Sequence, residues 1–254
     1  MIDTHAHLYH EYYDDLDAVI ANIEASGIKK VIVNGCDMKS NLEVLDLVEK
    51  YDIIYGAIGF HPTELEEDLD LSLTFLEKHI SDDKIVAIGE IGLDYHYDNT
   101  DKKKQIFAFR KQLEIASKYN KPVIVHSRDA IQDTYDILSD YNVRGSIHAF
   151  SGSLEMALKF IKLGFYIGIG GVCTYKNATS IVNVIDNVDL SYILLETDSP
   201  YLTPVPYRGQ TNTSAYIPII AKRISEIKNI PLNKVAEVTT DNANSLFDFW
   251  VILC

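Results

Sequence analysis

Ile85-Val86-Ala87-Ile88-Gly89-Glu90-Ile91 is a short apolar run rich in Val and Ile, the pattern of a strand buried on both faces. Beyond it Ile106, Phe109, Leu113 and Ala116 recur at helical spacing, Pro122 stops that pattern, and Val123-Ile124-Val125-His126 opens a second run. Strand, helix and strand in that order form a βαβ unit, whose two strands lie parallel in one sheet.

The same alternation extends in both directions. Apolar runs occupy Met1–Asp3, Val31–Asn34, Ile54–Phe60, Ile85–Ile91, Val123–His126, Ser146–Phe150, Tyr166–Gly170 and Ile193–Glu196, with starts roughly 20 to 40 residues apart. Between them Leu16, Val19, Ile20 and Ile23 keep one helical face before Gly27, and Leu42–Val48, Leu71–His79, Ile131–Leu138, Leu154–Leu163, Ile181–Ile185 and Ile217–Ile227 read as further helices. Eight such repeats in 254 residues predict a single α/β domain over 1–254, a (β/α)8 TIM barrel with its active site at the carboxyl ends of the strands. An open doubly wound sheet is the structural alternative, but no G-x-G-x-x-G follows the first strand.

Composition narrows the function classes. The chain is 47% hydrophobic, and 23 basic against 37 acidic residues leave a formal charge of −14, so its surface as a whole repels polyanions. That excludes a generic basic nucleic-acid coat protein while leaving room for an enzyme that grips nucleic acid locally. Cys36, Cys173 and Cys254 form no C-x-x-C pair, which argues against a disulfide framework or a zinc ribbon and for a reducing cytoplasm. With no basic, apolar leader and no long apolar run, the expectation is a cytoplasmic protein that avoids membranes.

Chemistry gathers at the strand ends. In His5-Ala6-His7 the two imidazoles share one face of the first strand about 7 Å apart along it, so they can converge on one metal; two polar residues at a strand terminus is the plainer reading. Asp3 shares that face one pleat deeper, positioned to hydrogen-bond a ligating ring. Glu90, His126, His148 and Asp198 stand at the corresponding places of four other strands, and a barrel focuses such positions on one spot.

Six donors exceed what one tetrahedral ion needs. A two-ion site is more economical: His5, His7 and Asp198 around one ion, His126 and His148 around the other, and Glu90 bridging. A shared water would be the nucleophile and Asp198 the general base. The mixture of imidazole and carboxylate suits Mg, Zn, Mn or Co without choosing among them.

At these residues the chain resembles the TatD family of metal-dependent deoxyribonucleases, within the amidohydrolase-like barrel superfamily. The resemblance rests on Asp3-Thr4-His5-Ala6-His7, Gly59-Phe60-His61-Pro62, Gly89-Glu90-Ile91-Gly92-Leu93-Asp94-Tyr95, His126-Ser127-Arg128, His148-Ala149-Phe150-Ser151-Gly152, Glu196-Thr197-Asp198-Ser199-Pro200-Tyr201-Leu202 and Arg208-Gly209, nearly end to end. It implies a TIM barrel holding divalent ions on His5, His7, Glu90, His126, His148 and Asp198, and hydrolysis of DNA phosphodiesters, often from a strand end. It also sets His61 beside the substrate, where an imidazole can donate to a phosphate oxygen; with the shared Glu90 and the base Asp198, that makes three expected catalytic residues. Capping of the Pro62-Thr63-Glu64 turn is the competing role for His61. After Arg208-Gly209 many relatives continue with a basic residue, Asn, Glu and Pro; here Gln210-Thr211-Asn212-Thr213-Ser214 keeps Asn212 and lacks the charges, which bears on substrate grip.

Other residues carry weaker signals. Arg128 and Arg208 suit bidentate binding of phosphate, with structural ion pairs as the alternative. Tyr95, His96 and Tyr97 are placed to stack on a base or to pack their own loop, and Lys102-Lys103-Lys104 reads as a solvated face. His10 and His79 read as structural, and Glu196 as support for a ligand. The apolar ending Phe247–Cys254 should pack on the outer helices or the lower face of the barrel, or serve a partner. The expected partner is single-stranded DNA or a strand end, bound by a monomer or weak homo-oligomer. Two other functions compete: hydrolysis of an amide, ester or small phosphoester on the same ions, and a non-catalytic binding scaffold stabilised by metal.

Overall fold

The computed structural model describes residues 1–249; residues 250–254, and with them Cys254 and the end of the apolar tail, lie outside it. Eight parallel strands form one sheet in sequence order: β1 (Ile2–Ala6), β2 (Lys30–Asn34), β3 (Ile54–Ile58), β4 (Ile85–Asp94), β5 (Val123–Arg128), β6 (Gly145–Ile147), β7 (Phe165–Ile169) and β8 (Ile193–Leu195). Helices α1 (Leu16–Ala25), α2 (Met38–Lys50), α3 (Leu69–His79), α4 (Lys102–Tyr119), α5 (Ile131–Ser139), α6 (Leu154–Lys162), α7 (Thr179–Asn187) and α8 (Ile217–Lys228) follow the strands in turn. The architecture is a TIM (β/α)8 barrel. Its seam is made beyond β8 itself: Ala6 pairs with Ser199, and the Asp198 N–H donates to the His5 carbonyl at 2.9 Å. The residues that close the barrel are therefore also those of the last predicted metal ligand.

Asp15, Asp37, Asp68, Asp101 and Ser153 each accept a backbone N–H in the first turn of α1, α2, α3, α4 and α6. Such caps contribute about 1 kcal/mol apiece, so part of the acidic excess marks helix starts. Apolar strand residues such as Val31, Val33, Val123, Val125, Ile167 and Leu195 pack outward against helix residues such as Ile20, Leu47, Leu113, Leu138 and Phe160.

Several strand limits differ from the sequence reading. β1 runs further, to Ala6, while β3 stops at Ile58 and β6 at Ile147, short of Phe60 and Phe150. β4 continues to Asp94, which places Glu90 inside the strand and not at its end; the β4–β5 register shifts between Ile88 and Ile91. Gly92 pairs with His126 at φ +144°, and a Cβ there would stand 2.0 Å from the His126 carbonyl oxygen, so only glycine lets the two ligand strands approach this closely. A ninth helix, α9 (Leu232–Leu246), was not anticipated, because its buried face includes Thr239, Asn242 and Asn244 and so lacks a clean apolar stripe. After it Phe247 and Phe249 pack with Ile2, Ile32, Tyr55 and Ile124, residues near the starts of their strands, so the described part of the tail covers the lower face of the barrel. No helix among the described residues is long and apolar enough to cross a membrane.

Candidate metal centre

His5, His7, Glu90, His126, His148 and Asp198 meet at the carboxyl end of the barrel, and Glu90 divides them. Its Oε2 faces His5 Nε2 at 3.3 Å and His7 Nε2 at 3.5 Å. Those two nitrogens are 3.2 Å apart and lie 3.6 and 3.4 Å from Asp198 Oδ1. Its Oε1 faces His126 Nδ1 and His148 Nε2, both at 2.9 Å, and these nitrogens are 3.3 Å apart.

The donor set fits divalent ions. A tetrahedral ion with bonds near 2.0–2.2 Å to nitrogen and oxygen requires donors about 3.3–3.6 Å apart, and the five measured edges among His5, His7, Glu90 and Asp198 run from 3.2 to 3.6 Å. Overlapping donor groups capable of holding an ion include His5, His7 and Glu90; His5, His148 and Asp198; and His61, Glu90 and His126.

Ring orientation is held from behind. His7 Nδ1 lies 3.1 Å from the Asn34 carbonyl, to which it can only donate, which turns Nε2 toward Glu90 and Asp198; burial opposes a charge on this ring, but Cys36, Asp198 and Glu90 hold it well above its ordinary value in the absence of an ion. His126 Nε2 likewise meets the Asp94 carboxylate at 3.1 Å, freeing Nδ1. Asp94 is buried and caught between His126 and the His96 N–H. The sequence reading assigned it no role, although its place four residues beyond Glu90 on a long strand was the available signal.

Burial, assisted by the charge of His148, pushes His5 down to about 4, so its ring stays neutral. Burial also opposes protonation of His148, but the Glu90 carboxylate prevails and lifts it to about 9. For Glu90 burial opposes ionisation, and the imidazoles of His148, His5 and His61 outweigh it, holding the carboxyl well below its ordinary value. Asp198 is held low in the same way, by the His7 hydrogen bond and the His148 charge acting against burial.

Of the two carboxylates read as supports, Asp3 departs from expectation and Glu196 stands beside His148. Asp3 bonds no ligating ring: it accepts the Thr197 N–H at 3.0 Å, the Thr197 hydroxyl at 2.6 Å and the His5 N–H at 3.2 Å. It ties the backbone of β1 to the loop bearing Asp198, because a short aspartate reaches its neighbours' main chain before it reaches a ring two residues away. Glu196 accepts the Ala149 N–H, and its Oε1 lies 3.9 Å from His148 Nδ1. Burial raises its carboxyl to about 8, and a Cβ on Gly168 would stand 2.2 Å from its Oε2, so this glycine makes room for it.

His61 is tied to its own turn and also reaches the donor cluster. Its Nδ1 accepts the Thr63 N–H at 3.2 Å, which stabilises the turn, and its Nε2 points at Glu90 Oε1 from 3.6 Å. Burial pushes the ring down to about 3, so His61 is neutral, with Nδ1 engaged by Thr63 and Nε2 turned toward the site.

Arg128 and Arg208 form no ion pair among the described residues; Arg128 lies over the Tyr97 ring at 5.8 Å and Arg208 over Tyr175 at 4.3 Å. Tyr95 is engaged with Asp133 at 2.9 Å and exposed His96 with Asp129 at 3.0 Å, and Tyr97 beside them is exposed as well. Lys102, Lys103 and Lys104 are exposed, His10 pairs with Glu43 and His79 with Asp82. Asn212 is buried and donates to the carbonyls of Thr197 and Tyr201, so it braces the loop of Asp198 and does not face the mouth.

Comparison with known proteins agrees with this geometry. The model of the TatD-related DNase family matches residues 2–248. The chain is similar to the uncharacterized metal-dependent hydrolase YabD of Bacillus subtilis, at 39% identity over 97% of this chain and 98% of that protein. It is also similar to YcfH of Escherichia coli, another uncharacterized metal-dependent hydrolase, at 36% identity over 97% and 95%. Among solved structures, YjjV, a TatD homologue of Escherichia coli, superposes with a TM-score of 0.93 at 33% identity, covering 98% of both chains. A TatD-family hydrolase of Entamoeba histolytica superposes at 0.86 with 26% identity, covering 97% of each. The chain thus belongs to the TatD family and is a metal-dependent hydrolase.

Proposed function

We propose that this hydrolase is a deoxyribonuclease that cleaves phosphodiester bonds at or near the ends of single-stranded DNA, using two divalent ions that share Glu90. The observation that carries this reading is the division of the donors about that carboxylate: His5, His7 and Asp198 on its Oε2 side, His126 and His148 on its Oε1 side. Ions held there would supply charge neutralisation at phosphorus and would acidify water, the chemistry that in-line phosphodiester hydrolysis requires. The description of the family as DNase-related points the same way.

The chain's own side chains supply the remaining parts. Asp198 is ionised and about one-seventh exposed, so it can accept the proton of an attacking water. His61 turns Nε2 into the site from 3.6 Å off Glu90, where it would donate to a non-bridging phosphate oxygen. Arg128 and Arg208, free of carboxylate partners among the described residues, offer guanidinium forks to neighbouring phosphates. The test is a series of Mg²⁺, Mn²⁺, Co²⁺ and Zn²⁺ on end-labelled single-stranded DNA with Glu90→Gln alongside. Metal-dependent shortening by the wild type and none by the variant is expected; intact single-stranded and nicked DNA under every ion would refute the proposal.

A further inference from the structure

Tyr201 and Tyr12 form an aromatic pair beside the donor cluster. Tyr201 lies three residues beyond Asp198, and its N–H donates to the Asp198 carbonyl at 2.8 Å. Its ring centroid is 6.3 Å from that of His7, at 63° between the planes, and the residue is 50% exposed. The hydroxyl is bonded to that of Tyr12 at 3.0 Å, the Tyr12 ring meets it edge-on at 5.9 Å, and Tyr12 in turn leans on buried Tyr9 at 5.8 Å. A large ring is thus held open to water beside the metal ligands, braced through a second ring to the core.

Other aromatics of the mouth are already engaged on their faces. Tyr97 lies under Arg128, Tyr95 under Lys102 and Tyr175 under Arg208, while Tyr207 stacks on Tyr216 at 4.6 Å and 4°. Tyr201 has neither a cation over its ring nor a parallel ring on it among the described residues.

We propose that Tyr201, braced by Tyr12, is the stacking platform for the base of the nucleotide whose phosphate sits at the metal centre. This deepens the deoxyribonuclease reading and rests on it. Stacking on a pre-set ring costs little conformational entropy and accepts any base, because every base has a π face. It also answers the charge of the chain: a protein of net charge −14 gains little from general attraction to phosphates, whereas stacking does not depend on counterion release.

The test uses short single strands with hydrolysis-resistant phosphorothioate linkages, carrying 2-aminopurine on the 5′ or the 3′ terminal nucleotide, with matched strands lacking that base. They are titrated into the wild-type chain in Mn²⁺. One of the two fluorescent strands is expected to be quenched on binding. Tyr201→Leu should abolish the quench and weaken binding about 5- to 100-fold, as loss of one stacked base does, while Tyr201→Phe keeps both. The base-less strand should bind wild type and Tyr201→Leu alike. Wild-type quench and affinity in Tyr201→Leu, no binding of either fluorescent strand by the wild type, or equal affinity for strands with and without the base would overturn the platform. Cleavage of unmodified DNA is scored separately: cleavage without quench refutes the platform alone, and quench without cleavage refutes the nuclease reading alone.

Discussion

The two sides of Glu90 are built differently. On the Oε2 side, His5, His7 and Asp198 complete with Glu90 a set of four protein donors, drawn from β1, β4 and the loop that closes the barrel. On the Oε1 side His126 and His148 stand closest to the carboxylate, both at 2.9 Å, and His61 Nε2 is further off at 3.6 Å. A four-donor set resembles a closed, structural coordination shell, and a three-donor set leaves a place for water or substrate. The difference teaches that six donors in one cluster need not act equally: under the two-ion proposal, the first side would hold its ion tightly and the second would exchange what it binds.

Removing Glu90 should break the distinction altogether. Glu90→Gln leaves both donor sets without their common charge, and hydrolysis is expected to fall by about 10³-fold, the scale of losing a pre-organised electrostatic group. Metal content by mass spectrometry should fall with it. A variant retaining two tightly held ions would contradict the sharing of this carboxylate.

Asp94→Asn should act on one side only. Asp94 orients His126 from behind, so the weaker of two Mn²⁺ affinities should drop about 10- to 100-fold while the tighter one holds. Calorimetric titration of the metal-stripped protein separates the two, and equal weakening of both would show that the sides are not independent.

Acidity provides a third test. In the metal-free protein His148 is lifted to about 9 and is therefore charged at neutral pH, with His126 raised beside it, against burial, by Asp94 and Glu90; across Glu90, His5 is down at about 4 while His7 is held well above its ordinary value. An ion on the Oε1 side must displace the His148 proton, so its affinity should rise at least about tenfold per pH unit from 7 toward 9 and level off above. A flat profile across that window would show that His148 does not ligate.

The smallest effect concerns the arginines, Arg128 two residues beyond His126 and Arg208 on the loop beyond Asp198. If each neutralises one phosphate, Arg128→Gln and Arg208→Gln should each flatten the slope of log affinity for single-stranded DNA against log salt by about 0.7. An unchanged slope in either variant would remove that residue from the phosphate grip.

Much of this was legible in the amino-acid order, for identifiable reasons. A ligand directly after a run such as Val123-Ile124-Val125 announces both a strand and its functional end, so the barrel and all six donors could be named. What could not be read depends on packing. Glu90 lies inside β4 because that strand continues past it to Asp94, and the glycines that let β4 and β5 approach look from the sequence like a strand terminus. Asp3 serves the backbone of the closing loop instead of a ring, a choice set by three-dimensional reach. Helix α9 hides its period behind buried Thr239 and Asn242. The approach of Tyr201 to His7 joins residues almost two hundred positions apart and follows only from closure of the barrel.

The central claim, two donor sets joined by one carboxylate, is tested most directly by anomalous diffraction from crystals of the wild-type chain soaked in Mn²⁺. Two peaks are predicted, one among His5, His7, Asp198 and Glu90 Oε2, the other among His126, His148 and Glu90 Oε1. A single peak shared by both Glu90 oxygens, or a second peak out of reach of Glu90, would contradict it.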